Sequence, residues 1–303
     1  MWAGLAKIFL LLQIVVAPVH SIFTLELKNI DNKNIVTVQS KLASENLPSK
    51  IDNDSLGVKL TASSAAVMDK ASGLVLWQQQ ADVVRPIASI SKLMAVLVFL
   101  EHNPGWDAEV TLEETDFVIS SPVKLVAGEK VKVKDLFYAS LIASDNNALL
   151  ALVRASGKTQ AEFVALMNAK AKDLKLTKTQ FFEPTGLSAK NVSTANEVLV
   201  LAKNAFAVSE VRKTASLANY DFTALSGEKH KVVSTNKLLG SFLHLGPAKT
   251  GYIGEAGFCL VAEVANENNQ EILAVVLNSD SNDNRFQDLK ALAYWIFQNF
   301  HWS

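Results

Sequence analysis

The stretch Arg85-Pro86-Ile87-Ala88-Ser89-Ile90-Ser91-Lys92-Leu93-Met94 decides how this chain is read. Beyond it, Leu93, Val96, Leu97 and Leu100 recur at helical spacing until Asn103-Pro104-Gly105 stops them. The run from Leu93 to Leu100 is apolar on all sides, which predicts a helix buried in the centre of the fold. Ser89 stands at the mouth of that helix, near the free first-turn N–H groups and the positive end of the helix dipole. One turn on, Lys92 projects from the same face, so its amine reaches the Ser89 hydroxyl. A serine hydroxyl is a poor nucleophile until a base takes its proton. A lysine serves as that base if burial and neighbouring cations keep it neutral. Taken alone, Ser89 equally fits an ordinary N-cap serine.

Working outward, Ala65-Ala66-Val67-Met68 and Leu74-Val75-Leu76-Trp77 flank a turn at Asp69 to Gly73 and predict a β-hairpin. A second helix is predicted from Lys134 to Ala143, and two more begin at the capping boxes Thr159-x-x-Glu162 and Thr194-x-x-Glu197. After about residue 215 the period becomes strand-like. Tyr220 to Leu225 and Lys231 to Thr235 flank a turn at Ser226-Gly227; Phe258 to Val264 and Ile272 to Leu277 flank another at Asn266 to Gln270. A last amphipathic helix, Arg285 to Phe297, shows Leu289, Leu292 and Ile296 on one face. Strands at both ends with helices between predict an α+β fold: an antiparallel sheet built from the two termini, flanked by helices, with a helical lobe inserted.

The 303 residues are 49% hydrophobic and 19% charged, which excludes a disordered chain. A net charge of −1 gives no electrostatic case for nucleic acid. Lys7 followed by the apolar run Ile8 to Val19 and by Val19-His20-Ser21 has the pattern of a secretory leader, expected at 1–21. That run is too short to span a bilayer, so no integral membrane domain is expected after cleavage. Residues 22–60 are polar and weakly patterned, an extended or disordered lead-in, and the folded domain is expected over 61–303. Cys259 is the single cysteine; its apolar neighbours predict a packing role, and no disulfide is available.

Two further motifs join the first: Ser144-Asp145-Asn146 and Lys249-Thr250-Gly251. The S-x-x-K spacing also occurs at Ser121/Lys124, Ser226/Lys229 and Ser234/Lys237. Those serines precede a proline or lie in or beside a hairpin, so Ser89 alone opens a buried helix. His20, His102, His230, His244 and His301 fall in the leader, in turns or at the terminus, which disfavours a Ser-His-Asp triad. No metal-ligand spacing occurs, and no cofactor is expected.

S-x-x-K, S-x-N and K-T-G in this order resemble the signature of penicillin-binding proteins and serine β-lactamases. Arg85 to Met94, Phe182-Glu-Pro-Thr-Gly-Leu-Ser188, Asn191-Val-Ser-Thr-Ala195 and Lys249-Thr-Gly-Tyr-Ile253 look like the low-molecular-mass D,D-peptidases. The run Lys249 to Val261 is most similar to the D-alanyl-D-alanine endopeptidase branch, penicillin-binding protein 7 type. The resemblance implies a β-lactamase/D,D-peptidase-like fold acting on peptidoglycan stem peptides, with β-lactam antibiotics as covalent inhibitors. It implies Ser89 as acylated nucleophile and Lys92 as its base. Ser144 and Asn146 would relay protons and hold the substrate amide. Lys249 and Thr250 would bind the substrate carboxylate, with Arg285 as a second ligand for it. Gly251 would let the peptide backbone approach, and the N–H groups of Ser89 and Tyr252 would form the oxyanion hole. Glu183 replaces a more familiar aspartate, and Asn147 stands where the endopeptidase branch often has arginine. A D-alanyl-D-alanine carboxypeptidase shares every motif. A class A β-lactamase would need an E-x-x-x-N pattern, which Leu187 breaks after Glu183, and a non-catalytic wall-binding scaffold would have no need of Lys92 beside Ser89.

Overall fold

In this computed structural model, residues 23–27, 36–40, 47–118, 121–240 and 244–302 are described; the leader expected at 1–21 lies outside them. The chain divides into two units, Met1–Leu47 with Trp302–Ser303, and Pro48–His301. In the first, β1 (Phe23–Leu27) and β2 (Val36–Ser40) pair antiparallel, with Leu27 opposite Val36. Part of the lead-in is therefore a pair of antiparallel strands.

The second unit opens with β3 (Ser49–Lys50), the hairpin β4 (Ser64–Asp69) and β5 (Val75–Gln79), and β6 (Arg85–Pro86). One turn of 3-10 helix, Ala88–Ser91, leads into α1 (Lys92–Glu101). Between α1 and α2 (Val133–Ile142) lie β7 (Glu109–Thr111) and β8 (Lys130–Lys132). Next come α3 (Asn146–Ala155), α4 (Gln160–Asp173), β9 (Val192–Ser193), α5 (Ala195–Ala207) and α6 (Ser209–Ala215). The hairpin β10 (Asn219–Thr223) and β11 (Lys229–Val233) precedes the long strands β12 (His244–Ile253), β13 (Gly257–Ala265) and β14 (Glu271–Ser279). The chain ends in α7 (Asn282–Asn299) and β15 (Phe300–His301), which pairs with β3.

The main sheet has the order β12-β13-β14-β4-β5, every described pair antiparallel. Strands from before the helices, β4 and β5, and after them, β12 to β14, meet in it, as the α+β reading requires. Side chains alternate faces along a strand. On β14, Leu273, Val275 and Leu277 join the core shared with α1 and α5, while Ile272, Ala274 and Val276 are equally buried on the other face, where α7 packs. Covering on both faces explains why these strands read as unbroken apolar runs. Gly73 turns the β4–β5 hairpin at φ +76°, a left-handed conformation natural only to glycine. All residues of α1 from Lys92 to Phe99 are buried, as its all-round apolarity predicts, and α2, α3, α4 and α5 pack around it.

Candidate active site

The backbone is strained at two of the three motifs. Ala88 has φ +48° and Ser144 has φ +57°, left-handed values that cost a residue with a Cβ. Ser89 belongs to the 3-10 turn, and α1 begins at Lys92 with Ser91 as its N-cap. Ser89 therefore stands one turn before the α-helix instead of capping it, because the strained Ala88 bends the chain first.

Lys92 is wholly buried, and its Nζ donates to Ser89 Oγ (3.0 Å), Asn146 Oδ1 (2.6 Å) and Thr185 O (2.6 Å). Burial pushes its amine down from the ordinary 10.5 to about 7, while the charges of Glu183 and Asp145 pull the other way. Near neutral pH much of the amine is then uncharged. Its two protons stay with Asn146 Oδ1 and Thr185 O, and its lone pair faces the Ser89 hydroxyl.

Asn146 opens α3, where Asp145 is the N-cap and accepts from Ala148 N at 2.8 Å. Just before it, Ser144 Oγ accepts from Lys249 Nζ at 2.7 Å. Lys249 lies buried on β12, its amine held well below the usual lysine range by burial and then by the charges of Lys92 and Arg285. Thr250 Oγ1 sits 2.6 Å from Thr235 Oγ1. At Gly251 a Cβ would come within 2.9 Å of Ile87 O and 3.2 Å of Ser89 N, so β12 lies against the Ser89 turn as only glycine permits. Tyr252 follows, half exposed and stacked on Phe258 with ring centroids 4.3 Å apart. The three motifs thus close a ring: Lys92 bonds both Ser89 and Asn146, Ser144 touches Lys249, and Gly251 returns to Ser89.

Arg285 is placed differently from the rest. It is buried on α7, and its Nη1 donates to Gly251 O (3.0 Å) and Cys259 O (3.5 Å), its Nη2 to Asn282 Oδ1 (2.6 Å). Its guanidinium lies 4.8 Å from the Phe286 ring centre, and burial brings its pKa down to about 10. These bonds tie it to the backbone of β12 and β13. Cys259 is buried, with its thiol pushed up to about 11 by burial, consistent with packing.

Sequence reasoning gave no role to Thr185, Gly186, Asn191 or Thr235. Gly186 has φ +91°, and a Cβ there would lie 2.1 Å from Ala88 O and 2.7 Å from Ser89 N. The triplet Pro184-Thr185-Gly186 signals a turn, but nothing local reveals that the turn packs against Ser89.

Residues 50–281 match the family model described as D-alanyl-D-alanine carboxypeptidase, peptidase S11. The chain belongs to that family. It is 36% identical over 205 residues to a D-alanyl-D-alanine endopeptidase of Haemophilus influenzae, covering 66% of this chain and 69% of that one. It is 30% identical over 248 residues to a protein of the same description from Escherichia coli, covering 78% of each. Among solved structures, a Streptomyces DD-transpeptidase superposes with a TM-score of 0.74 at 26% identity, covering 80% of this chain and all of that one. A penicillin-binding protein of Listeria monocytogenes in its ampicillin-bound form gives 0.70 at 32% identity, again over 80% and 100%. These matches to the family bear out both the recognition and the D,D-peptidase-like α+β fold. Among the described residues, no helix is long and apolar enough to cross a membrane.

Proposed function

We propose that this member of the family is a serine D,D-peptidase that hydrolyses D-alanyl bonds of peptidoglycan peptides through an acyl-enzyme on Ser89, acting as an endopeptidase on cross-links. The observation that carries the reading is the 3.0 Å contact between Ser89 Oγ and a buried lysine amine brought down to about 7. Ser89 Oγ adds to the D-alanyl carbonyl carbon as its proton passes to Lys92 Nζ. Negative charge gathers on the carbonyl oxygen, facing the N–H groups of Ser89 and Tyr252. Collapse expels the amine, which takes a proton relayed through Ser144. Water then attacks the ester with Lys92 again as base, and Ser89 is restored. Asn146 holds the substrate amide, and Lys249 and Thr250 bind the carboxylate beyond the scissile bond. Arg285, which also holds the Gly251 carbonyl, is the second ligand for that carboxylate.

Relatives described as endopeptidases, at 36% and 30% identity, support the cross-link as substrate. The carboxypeptidase reading remains as the second, since relatives of that description reach 32% and the chemistry is the same. A class A β-lactamase needs a glutamate free to activate water. Glu183 accepts from Thr185 N and Oγ1, Gly186 N, Ser188 N and Asn191 Nδ2, so its oxygens are occupied. β-Lactams are proposed to acylate Ser89, and the 1–21 segment to export the chain to the periplasm or cell-wall space. Digestion of purified cross-linked muropeptides is the test: loss of dimers is expected, whereas loss of terminal D-alanine alone would replace the endopeptidase assignment with the carboxypeptidase one.

A further inference from the structure

The segment from Phe182 to Asn191 carries an acidic side chain that the reaction above does not use. Oε2 of Glu183 accepts from Thr185 N (2.7 Å) and Thr185 Oγ1 (2.6 Å). Its Oε1 accepts from Gly186 N (2.6 Å), Ser188 N (3.2 Å) and Asn191 Nδ2 (3.1 Å). Three backbone N–H groups of one short loop converge on a single anion, the geometry of an anion-binding nest filled from within the chain. Asn191, fully buried, closes the far side: Nδ2 also donates to Ser91 Oγ (3.1 Å), and Oδ1 accepts from Phe182 N (2.8 Å).

What this nest fixes is the two loop residues that touch the reacting groups. Thr185 O accepts from Lys92 Nζ at 2.6 Å, and Gly186 is pressed against Ala88 and Ser89 with no room for a Cβ. We propose that Glu183 is a positioning residue for acylation of Ser89, its carboxylate holding the loop in the form in which Thr185 O aims the Lys92 amine and Gly186 supports the Ser89 turn. The inference rests on the assignment of Ser89 and Lys92 above and adds to that site a residue which touches neither substrate nor reacting atoms.

A second effect follows from the charge. The charged groups acting on Lys92 are Glu183 from this loop and Asp145 from the cap of α3, which favour the ammonium; the other ionisable neighbour, Lys249 on β12, is itself held well below the usual lysine range by burial and then by Lys92. Glu183 is the larger of the two acids in opposing the effect of burial. Glu183→Gln keeps the size of the side chain, removes that charge and turns an NH2 group toward N–H donors that need an acceptor. Glu183→Asp keeps the charge with a shorter reach.

The test is the rate of acylation by a fluorescent penicillin, measured on the full chain as a function of pH for both variants, with Tm recorded alongside. Glu183→Gln is expected to lower the high-pH plateau by roughly 10- to 100-fold, the scale of a small misplacement of reacting groups. Its midpoint should also move to lower pH, by about half a unit or more, because the ammonium has lost a stabilising charge. Glu183→Asp should keep the wild-type midpoint and recover most of the plateau. A Gln variant with wild-type plateau and midpoint overturns the proposal. So does an equal plateau loss in both variants with unmoved midpoints and a lowered Tm, which would make Glu183 a loop-stability residue only. If the Gln variant does not fold, the Asp variant decides, and a displaced midpoint or an unrecovered plateau in it overturns the proposal. Failure of the underlying assignment looks different: Ser89→Ala would still acylate, or the wild-type profile would lack a midpoint.

Discussion

A lysine that must act as a base has to be cheap to deprotonate and still held by its partners, and Lys92 meets both conditions. Burial lowers its amine to about 7, and two oxygen acceptors, Asn146 Oδ1 and Thr185 O, keep it aimed whether it carries two protons or three. The rate of acylation should therefore rise with pH and level off above about 7, because only the neutral amine accepts the Ser89 proton. A stopped-flow profile that stays flat from pH 5 to 9 would contradict this. Lys92→Arg should collapse acylation by about 1,000-fold or more, since guanidinium does not release its proton at working pH. Ser89→Ala should abolish labelling with Tm nearly unchanged, the cost of a turn hydroxyl being about 1 kcal/mol or less. At this scale much was legible in the sequence: the three-residue spacing brings Ser89 and Lys92 into contact within one turn. The acceptor Thr185 O was not legible, because any residue type supplies a carbonyl and 93 positions separate it from Lys92.

Helix ends followed their sequence signals closely where the signal was a cap. Thr159 and Glu162 form the complete reciprocal box at the start of α4. Thr194 accepts from Glu197 N as expected, but the Glu197 carboxylate is taken by Lys178 N and Thr179 Oγ1, so α5 has half a box and gains a tie to the preceding loop. The start of α3 was hidden because Ser144-Asp145-Asn146 was read as chemistry, although Asp145 is also an ordinary helix cap. The strand β12 was hidden for another reason. Pairing with β13 slips between Leu245 and Ala248, across Gly246-Pro247, and the slip breaks the period-two pattern on which strand reading depends. The loop of Gly186 is the element most sensitive to change. Gly186→Ala should reduce penicillin acylation by about 100-fold, because the new methyl meets backbone of Ala88 that cannot step aside without shifting Ser89. A crystal structure of that variant with Ser89 unmoved and full activity would refute the argument.

Across the whole molecule, the helical lobe is joined to the sheet by a charged cluster as well as by apolar packing. Glu263 on β13, its side chain 3% exposed, receives both arms of Arg212 from α6 at 2.7 and 2.6 Å and Lys70 from the end of β4 at 3.0 Å. Burial alone would push this carboxyl up; the Arg212 fork and Lys70 outweigh it and hold the group below its usual range. Its contribution is accordingly present above about pH 4.5 and lost as pH falls through the lowered folded value. Glu263→Gln should cost about 2 kcal/mol at pH 7, less than a fully buried pair because Arg212 and Lys70 reach solvent, and the difference from wild type should shrink in acid. Urea melts at pH 7 and pH 3 measure both statements. The order of strands has a further consequence, one of time. β4 ends at residue 69, yet its partner β14 does not begin until residue 271, with the whole helical lobe between them. Until those distant residues close the loop, the β4–β5 hairpin keeps an open edge of unpaired amides beside an apolar face, a form prone to pair with other chains. Folding of such a chain is slow by its connectivity, and a helper that shields one early edge would speed recovery of active protein more than any change to the site itself.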